Sequence, residues 1–350
     1  MPINLVRFKN DAIRILKKIK KIHLMVIGDI IIDESICGVA ERISREAPVL
    51  ILKYDDSFIV PGGAGNAANN AADLGANVFL ISVIGEDVIG SKLIQYFHKK
   101  NISTQGIIKE SSRLTPVKTR ILAGAIHSAK QQVIRIDRVS NHALLKNTEA
   151  KLIRQIKKMA PWADALLISD YQLQTVSEPI RQTLLKIFQG KPIVVDSRHQ
   201  LSKYMGATVV TPNLEEAMEA SNLLMTTSTD CLQIGKGLTQ KLQCKVLITQ
   251  GPNGMSIFDQ KSAACHLPIY NTDQPIDPTG AGDTVASMVS LVLATGADLF
   301  MAAALATIAA GMVVNKRGTA TISMNEMEKS FQNFNLLNKF LKGIQWQKLF

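Results

Sequence analysis

The run LMVIGDIIID, residues 24–33, is apolar from end to end apart from a glycine and two aspartates. A strand with one wet face alternates apolar and polar residues. A continuous run of branched apolar residues is covered on both faces, as in a parallel sheet. Similar runs recur at ANVFLISVIG (76–85), ADALLISD (163–170), KPIVVDS (191–197), ATVVTPN (207–213) and KVLITQG (245–251), with helical patterns between most of them. Strand, helix, strand at this rhythm predicts an α/β fold: a doubly wound, mostly parallel sheet with helices on both faces. Ligands of such sheets gather at the carboxyl ends of the strands. There the chain keeps Asp33, Asp170, Asp196, Asn213 and Thr249.

Two segments break the rhythm. APVLILKYDDSFIV (47–60) and TPVKTRILAGAIHSAKQQVIRIDR (115–138) are rich in β-branched residues and lack helical patterns between them. They predict antiparallel strands in a small separate sheet, a lid built from two excursions at about 37–60 and 113–138. A small sheet with one face on a ligand leaves a second apolar face to bury. The expectation is a homodimer through the lid, with Ile51, Ile59, Ile121 and Val133 as apolar candidates. The main domain is expected over 22–330, preceded by a basic helix (1–21) and followed by an amphipathic tail (331–350).

The net charge of +11 is concentrated at the ends: +6 over residues 1–22 and +2 over 325–350. The first segment has apolar residues at helical spacing (Phe8, Ile13, Leu16, Ile19) and lysines on the other side. It reads as a helix packed on the domain with a solvated face, not as a nucleic-acid patch. Four cysteines lie far apart with no C-x-x-C pair, which suits reduced thiols in a cytoplasmic protein. No signal peptide is visible. The apolar stretch from Val285 to Val314 is divided by Asp298 into runs too short to span a bilayer, and reads as two buried helices with Asp298 capping the second. None of the six histidines clusters with another ligand residue, so a transition-metal site is not expected.

PGGAGNAANNAADLGA (61–76) runs from a glycine-rich turn into an alanine-rich helix. It formally matches the dinucleotide fingerprint, but that fingerprint belongs directly after the first strand. Close approach of a ligand to this backbone, with Asn66 as donor and acceptor, reads better. NTDQPIDPTGAGDTVASM (271–288) sets Gly280, Ala281 and Gly282 before a helix beginning near Asp283. Unpaired amides and the helix dipole make an anion site there. A carboxylate beside an anion site makes sense if Asp283 takes the proton from a hydroxyl attacking a phosphoryl group held on those amides. As a bare helix cap it would have no such purpose.

DPTGAGD (277–283), with GG-x-x-x-N at 62–66 and N-x-x-E at 213–216, resembles the ribokinase-like (PfkB) carbohydrate kinases over roughly residues 22–325. ERISREAPV (41–49), KTRILAG (118–124), QQVIRIDR (131–138) and ATVVTPN (207–213) look most like the branch acting on D-glycero-D-manno-heptose 7-phosphate at C1. The resemblance implies an ATP-dependent kinase making the 1,7-bisphosphate for ADP-heptose and lipopolysaccharide core synthesis. It implies Asp283 as general base and the amides of Gly280 to Gly282 as anion hole. Asp33, Gly62, Gly63 and Asn66 would hold sugar hydroxyls. Asn213 and Glu216 would organise nucleotide phosphates and hydrated Mg2+; Thr249, Gly251 and the VVNKRGT loop (313–319), with Lys316 and Gly318, would line the nucleotide site. Asp277 and Thr279 match positions that help bind a monovalent cation, K+, in relatives.

The substrate phosphate has candidates of its own. On an alternating strand Lys118 and Arg120 face one side, two residues apart, able to grip one phosphate. Arg42, Arg135 and Arg138 fall in or beside the lid, and Arg198 follows a core strand near Asp170. Two departures bear on the sugar. Heptose kinases commonly show S-D-Y-x-K-G, where SDYQLQ (169–174) has Leu173 and Gln174; DSRH (196–199) replaces D-P-K-G. A kinase of another sugar or sugar phosphate, a catalytically inactive sugar-binding regulator and a dehydrogenase using the glycine loop are the alternatives.

Overall fold

The computed structural model describes residues 3–125, 130–222, 229–259, 264–270, 276–316 and 318–347. Parts of the expected lid (126–129), of the 313–319 loop (Arg317), of the stretch before Asp277 (271–275) and of the tail (348–350) lie outside them.

In chain order the strands are β1 (His23–Gly28), β2 (Ile30–Ile43), β3 (Leu50–Gly63), β4 (Asn77–Gly85), β5 (Ser103–Glu110), β6 (Val117–Gly124), β7 (Gln131–Arg138), β8 (Ala165–Asp170), β9 (Ile193–Ser197), β10 (Val209–Val210), β11 (Lys245–Thr249), β12 (Met255–Phe258), β13 (Ala264–Leu267) and β14 (Gln345–Gln347). The helices are α1 (Leu5–Ile19), α2 (Ala64–Asp73), α3 (Val88–Lys99), α4 (Lys146–Met159), α5 (Glu178–Ile187), α6 (Leu214–Ser221), α7 (Thr229–Leu242), α8 (Ala281–Ala294), α9 (Leu299–Val313), α10 (Met324–Ser330) and α11 (Phe334–Lys342).

Among the described residues the large sheet runs β14-β13-β12-β11-β10-β9-β8-β1-β4-β5. It is parallel from β11 to β5 and antiparallel at the β12–β14 edge. The six apolar runs supply β1, β4, β8, β9, β10 and β11, neighbours in its middle. Each face carries its own buried cluster. One includes α1, α2, α8 and α9 side chains, the other those of α4, α5 and α7. The expected doubly wound architecture holds.

The opening run is not one strand. It is broken at Asp29: β1 ends at Gly28 in the large sheet, and β2 starts at Ile30 in a second sheet ordered β3-β2-β6-β7. Apolar continuity could not show the break because both pieces are buried. That second sheet is the lid, but mixed, since β2 and β6 run parallel. The glycine-rich stretch is the end of β3, with Pro61 paired to Ile32, passing directly into α2. It follows a lid strand, not the first strand of the large sheet, so the dinucleotide reading fails on context.

Both terminal segments pack on the body. α1 buries Phe8, Ala12, Ile15, Leu16 and Ile19. The tail forms α11, burying Leu337, Phe340 and Leu341, and then edge strand β14, which sequence reading missed. α8 and α9 are the two buried helices, and Asp298 caps α9 by accepting the Met301 amide at 2.8 Å.

Candidate active site

The cleft lies between the lid and the segments before α8 and after α9. A cavity of about 810 Å³ is lined from the lid by Asp33, Cys37 and Arg120, and from the body by Asp277, Thr279 and Gly318. Asp283 stands beside it, at the N-terminus of α8.

The helix begins two residues earlier than expected. Gly280 is its cap, with φ of 82°, and Ala281, Gly282 and Asp283 form its first turn. A side chain at Gly280 would collide with Asn66 Nδ2, 2.6 Å from the Cβ position, besides straining the backbone. First-turn amides have no partner within their helix. The Ala281 amide turns back onto the Pro278 carbonyl at 3.2 Å, so the anion-binding direction is left to its neighbours.

Asp283 is 4% exposed, and each of its oxygens has a donor. Asn66 Nδ2 donates to Oδ2 at 2.8 Å and the Tyr171 hydroxyl to Oδ1 at 3.1 Å. Burial pushes the carboxyl up to about 6; the two hydrogen bonds and the Arg198 charge oppose that rise, and Asp33 adds to it. A carboxyl raised this far titrates closer to neutral pH than a free one, which suits proton acceptance. Asn66 is itself held by Asn70, whose Nδ2 donates to its side-chain oxygen at 3.1 Å, and Asn70 accepts from Thr284 on α8. Asn66, expected at the sugar hydroxyls, is wholly buried with its amide donated to Asp283, which it orients.

Asp33 faces the cleft, paired with Arg120, and a Cβ on Gly62 would lie 2.8 Å from its Oδ2. Arg120 is thus committed to Asp33, whereas Lys118, on the same face of β6, makes no ion pair among the described residues. Burial and then the nearby Arg198 charge lower the Lys118 pKa. Arg135 lies opposite Arg120 in register but pairs with Asp137 at 2.9 Å. The Arg198 guanidinium stacks 4.6 Å from the Tyr171 ring centroid. Asp170, one of the strand-end residues expected near the substrate, is taken up by Tyr204 and its own loop instead. Its oxygens accept the Tyr204 hydroxyl (2.6 Å) and the Gln172 amide (2.9 Å), and it organises the loop after β8.

On the other side, Asn213 and Glu216 form a reciprocal capping box at the start of α6, each side chain accepting the other's amide at 2.9 Å. Thr249 lies beside Asn213, its amide donating to the Pro212 carbonyl, and Gly251 is exposed with φ of 56°. Lys316, expected at the nucleotide, is drawn away: it donates to the Thr321 carbonyl (2.7 Å) and pairs with Glu326 (2.6 Å). Asp277 is a clamp, accepting the Thr279 and Gly318 amides at 2.9 Å. No group of three or more His, Cys, Asp or Glu side chains among the described residues could hold a metal ion. Glu216 engages only one oxygen in its capping box, which suits contact with a hydrated ion. Burial, then Asp283 and Glu216, push Asp196 well up, so three carboxylates share this corner.

Sequence reading missed Asp29 and Tyr171, and named Asp196 only as a strand-end residue. The two missed residues stand in quoted stretches, Asp29 inside LMVIGDIIID and Tyr171 in SDYQLQ, but nothing in a one-dimensional pattern says which residue turns into a cleft.

A buried carboxylate at a helix N-terminus, set in a cleft between a parallel sheet and a lid, defines a phosphotransferase site of the sugar-kinase kind. The chain matches the pfkB family carbohydrate kinase over residues 21–326. It belongs to that family and is an ATP-dependent carbohydrate kinase. Among curated proteins, Bifunctional protein HldE of Geobacter metallireducens is 36% identical over 312 residues, 88% of this chain and 62% of that protein. Its Geotalea uraniireducens counterpart is 38% identical over the same shares. The chain therefore spans less than two thirds of these relatives' length. Escherichia coli phosphofructokinase-2 superposes with a TM-score of 0.71 at 19% identity, over 90% of this chain and 99% of that one. Arabidopsis thaliana ribokinase gives 0.67 at 16%, over 88% and 98%. The fold is theirs. No helix among the described residues is long and apolar enough to cross a membrane.

Proposed function

We propose that this chain transfers the γ-phosphate of ATP to the C1 hydroxyl of D-glycero-β-D-manno-heptose 7-phosphate. The observation that supports the substrate class is the pair of cations Lys118 and Arg198, close enough that, after burial, the Arg198 charge lowers the Lys118 pKa. Neither makes an ion pair among the described residues, although Asp33 and Asp137 lie near Lys118 and Asp283 and Asp196 near Arg198. Two cations brought this close repel each other, and a substrate phosphate would join them. The heptose-branch motifs support the heptose as that sugar, and the similarity to HldE is consistent with it.

In this reading Asp283 removes the proton from the acceptor hydroxyl as it attacks the γ-phosphorus, and the first-turn amides of α8 take up charge on the transferring group. Asp33 positions the sugar. Asn213, Glu216, Thr249 and Gly251 line the nucleotide side. Glu216, through water, with Asp196 nearby, would hold Mg2+, which when bound would neutralise phosphate charge. Asp277 and Thr279 are proposed for K+, although the Asp277 oxygens already hold two backbone amides. HldE is named bifunctional; any second activity is a matter for that protein. The lid is proposed to pair two copies of the chain, and the reaction to serve ADP-heptose synthesis in the cytoplasm.

A second reading, another phosphorylated sugar, is favoured by one observation. Leu173, where heptose kinases carry lysine, is buried at 8% exposure, so that position offers no charge. ADP release measured across free and phosphorylated sugars tests both. The 7-phosphate of the heptose is expected to exceed all others, and Lys118→Ala should raise its KM far more than that for ATP. Equal turnover on unphosphorylated heptose, ribose or fructose would overturn the assignment.

A further inference from the structure

The loop after β8 holds a side chain that no motif assigned. Tyr171 reaches Asp283 Oδ1 with its hydroxyl at 3.1 Å, and its ring is covered by the Arg198 guanidinium. The ring edge also lies against Gly63, where a Cβ would stand 3.3 Å from it. The backbone of this loop is fixed by Asp29, a fully buried carboxylate at the point where β1 gives way to β2. Asp29 Oδ2 accepts the amides of Tyr171 and Leu173, both at 2.9 Å, and Oδ1 that of Thr175 at 3.1 Å. Within the same loop Gln172 and Gln174 take φ values of 63° and 72°, which side-chain-bearing residues seldom adopt. A loop strained at two positions and clamped by three bonds to one carboxylate is over-determined, and such strain collects where a side chain must be held in one place.

We propose that Tyr171 is a positioning residue for Asp283, backed by Arg198, so that the base meets the acceptor hydroxyl in one orientation and in its ionised form. The inference rests on the reading of Asp283 as general base. A carboxylate free to rotate presents its lone pairs at random; donors on separate oxygens, Asn66 on one and Tyr171 on the other, stop that rotation. Both bonds favour the anion. Around Asp283 the charged and titratable groups are Tyr171, Arg198, Asp33 and Asp196, and only Tyr171 and Arg198 favour ionisation. Burial, then the Asp283 charge, hold the phenol itself protonated, so it donates throughout the working range.

Tyr171→Phe keeps the ring and the Arg198 stack and removes only the hydroxyl. Its kcat at neutral pH should fall roughly tenfold, and the acid limb of kcat/KM should move to higher pH, while KM for ATP is unchanged. Tyr171→Leu, which also releases Arg198, should move the limb further the same way. An acid limb identical to wild type, or a loss equal at every pH and accompanied by a lower Tm, overturns the proposal. Asp283→Asn in the same series separates the two readings. If that variant keeps turnover, the base assignment fails. If it abolishes turnover while Tyr171→Phe keeps the wild-type profile, Tyr171 alone loses its role.

Discussion

Asp283 is held at a cost to stability. Its folded carboxyl titrates near 6, against about 4 in an unfolded chain. Between those values the folded protein keeps a proton that the unfolded chain has released, so stability falls as pH rises through that window and the full penalty is present above it. Asp283→Asn should therefore raise stability at pH 7.5, by on the order of 2 kcal/mol, and by less at pH 5. It should lower kcat at least ~100-fold. Thermal denaturation at the two pH values checks the first part; a variant less stable at pH 7.5 contradicts it. Neighbouring glycines differ sharply. Gly280→Ala meets Asn66 and a φ of 82°, and should cost about 1–2 kcal/mol and disturb the base as well. A Cβ at Gly282 meets nothing within 4 Å, so Gly282→Ala should leave Tm nearly unchanged.

Single elements show where pattern reading stops. α8 was placed from its glycines and its apolar run, but its start moved to Ala281, because a helix can begin wherever a left-handed residue such as Gly280 turns the chain. N-x-x-E was read as a phosphate motif, and locally it is also a capping box that would form in any helix. The loop after β8 carries its own prediction. Gln174 stands at φ of 72°, where the resembled motif has glycine. Gln174→Gly relieves that strain and should stabilise the protein by about 0.5 kcal/mol in urea unfolding, net of the freedom glycine gains in the unfolded chain. A loss of stability would mean that the Gln174 side chain makes a contact worth more than the strain.

Across the whole molecule, the lid presents two unlike faces. Val60, Asp33 and Lys118 look into the cleft by register, and so do Phe58, Ser35 and Arg120; Ile59, Ile36, Ile121, Ile134 and Ile136 look away. Ile134 and Ile136 are 54% and 51% exposed. Of the four residues singled out from sequence, Val133 is exposed at 50%, and Ile51, Ile59 and Ile121 are half-buried. An apolar row of this kind on a lid is best buried by a second copy. Light scattering at micromolar concentration should give a dimer, and Ile134→Lys with Ile136→Lys should give a monomer of higher KM for the sugar. A wild-type monomer with full activity would rule the dimer out.

The chain's one-dimensional order was enough for the parallel sheet, the lid and the glycine turn before Asp283. Those depend on local periodicity and on residue types that few other conformations tolerate. It did not reveal that LMVIGDIIID divides at Asp29 between two sheets, since burial on both sides of the break hides it. Nor did it show that Asn66 and Tyr171 would converge on Asp283 from 217 and 112 residues away. It could not say that Lys316 and Asp170 would be taken up by Glu326 and Tyr204, while Lys118 and Arg198 make no ion pair among the described residues. Which charges find partners is decided by distances between strands far apart in sequence, and only the closed fold sets those distances.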